Sequence, residues 1–338
     1  MVKAPAPPEK EKDQSALIGL VWAFQFATDG SATPIPAERV EAVLAAPSGW
    51  VWLHFALTDA RARRWISERA PISEHAREAL AGADDHLHLD IVGAEIIGTI
   101  PDLHRDLAEA SDEIARLRFV MTDRMLISAR RTPLHAVEVT RRAVESGQRF
   151  SEAINLIDAI MDQFADAILH LAQRYGDQLD QIEERLARDD PGDERQQLGR
   201  VRLQTVRVKR YVTHVRALLH RFEPRLQPVH QRVASAMRAL ALKLDHVDHE
   251  MSAVYERSHL LHDELGAKTA ALTNRRLLTL SVLQACLLPP TLVSGGYFGM
   301  NTMDLLFKET ANGSLYAALI SLSAGAITYL GLRWFRAL

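Results

Sequence analysis

Apolar and polar positions divide the chain into three regimes of spacing. In residues 15–150 short strand-like and helix-like patterns alternate. Leu17 to Phe26 is mostly apolar, and Trp50 to Phe55 has period two, with Trp50, Trp52 and His54 on one face and Val51, Leu53 and Phe55 on the other. Leu117, Phe119 and Met121 alternate with Arg116 and Arg118, and Met125 to Ala129 follows closely enough to be a hairpin partner. Helical spacing is predicted over Thr58 to Arg69, Ser73 to Ala81 and Pro133 to Gly147, with Ser73 followed by Glu74 as a helix start. This is the pattern of an α/β domain. The Pro-, Lys- and Glu-rich residues 1–14 before it predict a flexible tail without a signal-peptide core.

From residue 151 the period becomes heptad-like. Ile154, Ile157, Met161, Phe164, Ile168, Leu171, Tyr175, Leu179, Ile182 and Leu186 recur at threes and fours up to Asp190-Pro191-Gly192. A second series runs from Leu198 through Val201, Thr205, Val208, Val212, Val215 and Leu219 to Phe222. The two predict an antiparallel helical hairpin over 151–228. A third series, Val233, Met237, Leu240, Leu244, Val247, Met251, Val254, Leu261 and Leu265, lies in a stretch without proline between Pro228 and Pro289. One helix is therefore expected over 229–301, a coiled-coil stalk that continues into a membrane; its first 71 residues would measure on the order of 100 Å.

The third regime is apolar throughout. Twenty-seven uncharged residues, Leu277 to Met303, lie between Arg276 and Asp304, and 23 more, Thr310 to Leu332, between Glu309 and Arg333. About 20 apolar residues cross a bilayer as a helix, so two spans are predicted, about 277–301 and 315–338, joined by an outer, periplasmic loop at 302–314. A buried hairpin of a soluble core is the competing reading. Arg275 and Arg276 precede the first span and Arg333 and Arg336 close the second, so the positive-inside rule puts both termini in the cytoplasm. Composition alone would hide this, since mean hydropathy is −0.09.

Charge and cysteine content narrow the partners. Net charge is −3 over 338 residues, which gives no reason to expect nucleic acid, and Cys286 alone excludes a disulfide scaffold. The helical hairpin is polarised. Ser151 to Asp190 carries ten acidic and three basic residues, Glu194 to Arg221 one acidic and eight basic, so the two helices are expected to neutralise each other. No phosphate-cradling glycine loop or nucleophile elbow occurs, and no enzymatic activity or resident cofactor is expected. Two clusters are competent for metal. His86, His88 and Asp90 would share a strand face beside Asp84 and Asp85; on the stalk, Asp245 with His249 and His246 with Glu250 are four apart. An ordinary polar face is the alternative for each. Two spans cannot enclose a pore in one chain, so transport would need a ring of subunits.

The first span ends Gly295-Gly296-Tyr297-Phe298-Gly299-Met300-Asn301. Here the chain resembles the CorA-type metal ion transporters, marked by Gly-Met-Asn at the outer end of the first of two C-terminal spans, and the head, hairpin, stalk and terminal spans come in that family's order. More narrowly it is similar to the ZntB zinc-transporter branch. Asn274-Arg275-Arg276, Leu280-Ser281-Val282, Gly299-Met300-Asn301-Thr302, Gly19 to Phe24, Trp50 to His54 and Ile127 to Arg131 match that branch. It departs at Thr302 to Leu306, where the branch has a Gly-Gly-Ile-Pro-Gly-like turn, and at Ala83 to His88, where it has Glu-Thr-Arg-Pro-Arg.

The resemblance implies a funnel-shaped homopentamer in the inner or plasma membrane, with the first span lining the pore, that moves a divalent cation: zinc first, with magnesium, cobalt or nickel as alternatives. Gly299, Met300 and Asn301 would form the entrance. Counting back from Asn301, Ser294, Pro290, Leu287, Leu283 and Leu280 would line the pore, and Asp304 and Glu309 would attract cations. A membrane-anchored coiled-coil scaffold or metal sensor is the reading from another class.

Overall fold

The computed structural model of the chain describes residues 19–45, 48–106, 109–188, 193–222, 231–297, 299 and 312–334. Contacts divide it into two compact units, residues up to Leu260 and residues from Leu261 on.

The first unit contains one seven-stranded sheet. In chain order its elements are β1 (Leu20–Phe26), β2 (Ala32–Pro34), α1 (Val40–Ala45), β3 (Trp50–Ala56), α2 (Ala60–Glu68), α3 (Glu74–Ala81), β4 (His88–Val92), β5 (Glu95–Asp106), β6 (Glu109–Thr122), β7 (Met125–Arg130) and α4 (His135–Glu145). The strand order is β2-β1-β3-β7-β6-β5-β4, antiparallel except for β3 against β7. The β6–β7 hairpin is the one expected, with Leu117 opposite Arg130 and Met121 opposite Leu126.

Helices cover both faces of the sheet. On one face Val51, Leu53, Phe55, Val120 and Ile127 pack with Val40 of α1, Ala62, Trp65 and Ile66 of α2, and Ala76 and Leu80 of α3. The other face carries Trp50, Trp52, His54 and Phe119, all buried, and is covered by a long helix, α5 (Ala153–Ala187). β3 is thus buried on both sides, which is why six of its seven residues exclude water although their period is two. The local signals act as expected: the Ser73 hydroxyl accepts from the Ala76 N–H (3.2 Å) at the start of α3. Gly49, at φ +83°, lies against the Phe26 carbonyl where no Cβ fits.

α5 and α6 (Glu194–Phe222) pack side by side, and every apolar position of their two stripes is buried. Their charges are not matched to each other as expected. The acidic residues of α5 meet basic residues of α7 (Gln231–Thr291): Lys243 lies 2.9 Å from Asp162 and 3.0 Å from Asp166, and Arg257 pairs with Asp180 and Glu183. On α6, Arg216 reaches Asp245 (3.2 Å) and Asp248 (3.3 Å) of α7. Between α5 and α6 the pair Arg185–Glu194, at 3.8 Å, runs in the opposite sense. The buried stripes bring the two helices' apolar faces together and leave their charged flanks for a third helix. As a result Arg195, Arg200, Arg202, Arg207, Arg210 and Arg221 have no ion-pair partner among the described residues.

The second unit holds the remainder of α7, a π-helical segment over Leu292–Tyr297, and α8 (Gly313–Trp334).

Candidate functional site

The second unit has the composition of membrane-spanning helices. α7 and α8 each contain an 18-residue window of mean hydropathy 1.6. Their large side chains are open to the surroundings: Leu280, Leu283 and Leu287 are 52–55% exposed, and Leu319, Leu322 and Ile327 57–72%. In water so large an apolar surface would be strongly unfavourable; lipid and neighbouring helices are its natural surroundings.

α7 changes character at Pro289-Pro290, which lie inside the helix. Neither proline has an N–H, so the carbonyls of Ala285 and Cys286 lose their donors. The Thr291 hydroxyl bonds back to the carbonyls of Leu287 (3.1 Å) and Leu288 (2.8 Å), and the chain then opens into the wide turns of the π-helical segment. At Gly299 a Cβ would overlap the Gly295 carbonyl oxygen, so the glycine of the Gly-Met-Asn signature sits where the backbone closes on itself.

Leu280, Leu283, Leu287 and Pro290 lie in α7 and share a face at helical spacing, whereas Ser294 lies in the π-helical segment. Each wide turn takes more residues than an α turn, so the count of 3.6 residues per turn does not carry from residue 301 through this segment. Pro290 also lies against the second span: a Cβ at Gly325 of α8 would lie 3.0 Å from its Cγ and 3.1 Å from the Cys286 carbonyl. Gly325 has no side chain to hold the two spans apart there, and Ser321, one turn earlier, is buried. Met300, Asn301, Asp304 and Glu309 lie outside the described residues.

The two candidate metal clusters are placed differently from their sequence pattern. β4 begins at His88, so His86 precedes the strand and does not share a strand face with His88 and Asp90. The cause is Arg118, a fully buried cation on β6. It donates to the carbonyls of Leu80 (3.0 Å), Gly82 and Asp84 and pairs with the Asp85 carboxylate at 2.6 Å, ending α3 and holding residues 82–85 off the sheet. The exposed His86 has Asp84 at 3.9 Å, and its backbone carbonyl contacts Nδ1 of His88 at 3.0 Å. On α7, Asp245 is committed to Arg216, while His246 and His249 are exposed. No group of three His, Cys, Asp or Glu side chains converges on a metal position among the described residues.

Sequence reasoning did not find the buried polar network of the head. The Ser128 hydroxyl joins Nε1 of Trp52 and Nδ1 of His54, each at 2.8 Å, and His54 stacks on Trp22 at 4.1 Å. Burial, and then the charge of Arg130, hold the His54 imidazole well below its usual pKa, so it is neutral. Asp102 of β5 reaches across to α4, where the N–H groups of Ala136 (3.0 Å) and Val137 (3.1 Å) donate to it, and burial pushes its carboxyl up to about 7. Glu138, hydrogen-bonded by Arg141 and flanked by Arg105 and Arg142, is held down at about 2. The network joins β3 and β7, neighbours in the sheet but far apart in the chain, with His54 opposite Ser128, so local spacing carried no signal for it.

Comparison with known proteins bears on both units. The model of the family described as "CorA-like Mg2+ transporter protein" matches residues 47–336. The zinc transport protein ZntB of Pectobacterium atrosepticum is 25% identical over 287 residues, 84% of this chain and 85% of that protein. ZntB of Yersinia enterocolitica is 23% identical over 282 residues, 83% and 84% of the two chains. Among solved structures, the full-length CmaX protein has a TM-score of 0.77 at 20% identity, covering 94% of this chain and 98% of that one. The CorA magnesium transporter of Methanocaldococcus jannaschii has a TM-score of 0.76 at 11% identity, covering 92% and 96%. With two apolar helices, the first leading to the close approach at Gly299, and a family match over most of its length, the chain belongs to the CorA-like Mg2+ transporters, a family of membrane transporters and not of enzymes.

Proposed function

We propose that the chain moves divalent cations, zinc foremost, through a homopentameric pore in the inner membrane, with both termini in the cytoplasm. The observation that carries the proposal is the close approach at Gly299, which puts the first residue of the signature at a tight backbone contact beyond an apolar span. The ZntB relatives, at about a quarter identity, favour zinc; the family's own description favours magnesium as the alternative ion. In this reading the Asn301 carboxamides ring the entrance and replace part of the ion's water shell, and the leucine face of α7 below them forms an apolar constriction.

The test is metal uptake into proteoliposomes, zinc and magnesium compared, with a pH gradient imposed or absent. Asn301→Ala is expected to abolish uptake without changing assembly, because a methyl group offers no oxygen acceptor. Asn312→Ala, beyond the signature, should leave it nearly unchanged; full flux through the Asn301 variant would remove the entrance assignment. Native mass spectrometry of the detergent-purified protein should give five chains. A monomer or dimer would end the pore reading.

A further inference from the structure

Two of the α6 arginines without an ion-pair partner among the described residues, Arg210 and Arg221, line a groove. A cavity of about 540 Å³ lies between α6 and the β6 side of the head. One stripe of α6 lines it, with Arg210, His214 and Arg221 at spacings of four and seven, and Tyr211 lies beside them. Arg116 of β6 closes the other wall. Its guanidinium lies over the Tyr211 ring at 6.0 Å and donates to the Tyr211 hydroxyl at 3.4 Å, while its Nε is buried and has no hydrogen-bond partner. The carboxylate at the rim, Asp85, is already held by Arg118 (2.6 Å) and Arg131 (3.5 Å), so it does not offset the cations of the groove.

We propose that this groove binds a multiply charged phosphorylated small molecule, of the size and charge of a nucleoside triphosphate. Three observations select that class. The groove gathers three arginines and two histidines, His86 and His214, and its one carboxylate is already engaged, so an anion is the favoured occupant. Guanidinium groups match phosphate oxygens with paired donors, which a simple halide cannot use. The cations are also spread out: Arg210 and Arg221 are 11 residues apart on one helix, about 16 Å. A compact monoanion meets one end of such a groove, whereas a triphosphate chain with its nucleoside extends along it. The volume lies in the range of small-molecule sites, about 300–1,000 Å³.

The test is calorimetric titration of the full-length protein in detergent, at physiological salt with EDTA present, using ATP, inorganic tripolyphosphate and AMP. Saturable binding of ATP and tripolyphosphate is expected, with AMP at least tenfold weaker. Arg210→Ala/Arg221→Ala should weaken ATP binding by tenfold or more. Arg195→Ala/Arg200→Ala, which removes the same charge from the same helix outside the groove, should stay within twofold. All these side chains are exposed, so the melting temperature of each variant should match the parent and serve as the folding control. ATP binding tighter than tripolyphosphate would place the nucleoside in the groove as well, and equal binding would assign recognition to the phosphate chain. Failure of both ligands to saturate, or equal loss in the two double variants, would overturn the proposal.

Discussion

The two compact units make opposite use of the same kinds of side chain. In the first, Trp52, Leu53 and Phe55 are completely buried between layers of helix, and even a histidine and an aspartate are enclosed with hydrogen-bond partners. In the second, leucines of the same hydrophobicity stand more than half exposed along α7 and α8. An apolar group needs removal from water, not a particular partner. The first unit meets that need internally and so depends on packing. The second meets it through its surroundings, so its internal contacts are few and fall on small residues such as Gly325.

Substitutions in the two units test this contrast. The largest effect is expected for Trp52→Ala, which removes a fully buried ring and the donor to Ser128 and should cost about 3–5 kcal/mol, read as an early thermal transition of the head by near-ultraviolet circular dichroism. Gly325→Leu should come next. Its side chain would meet Pro290 and the Cys286 carbonyl, forcing the spans apart at about 1–3 kcal/mol, with loss of assembled protein in detergent and an unchanged head transition.

Asp102→Asn should act through pH. A folded Asp102 keeps its proton up to about 7, where an unfolded aspartate has lost it above about 4, so its contribution to stability is full below 4 and is lost as pH rises through 7. The asparagine variant should therefore gain a few degrees on the parent in melting temperature between pH 5 and pH 8, measured by differential scanning fluorimetry. The smallest effect is expected for Leu283→Ala. An exposed leucine in the second unit should change the melting temperature by about a degree or less. A loss like that of Trp52→Ala would mean that Leu283 packs in the assembled protein as tightly as a head core residue.

The contrast was unevenly legible in the sequence. The apolar spans and heptad stripes follow from spacing alone, because the period of an isolated helix fixes which residues share its face. β3 and the β6–β7 hairpin were equally open to reading, being short alternating runs close in sequence. β4 and β5 were not recognised as a pair. β5 carries Gly98, Pro101 and Asp102, poor strand formers that tertiary contacts nonetheless require: a Cβ at Gly98 would strike Leu89 and Phe119, and Asp102 holds the start of α4.

Which segments are helical, which are apolar enough to leave water, and where the Gly299-Met300-Asn301 signature falls can all be read along the chain. Each is a local property of composition and period. Which charges meet is settled by packing in three dimensions. The acids of α5 find Lys243 and Arg257 on α7, Arg118 draws His86 out of its strand, and the basic stripe of α6 is left open along a groove. Charge pairing depends on which flanks remain after the apolar faces have packed, and that choice belongs to three helices at once.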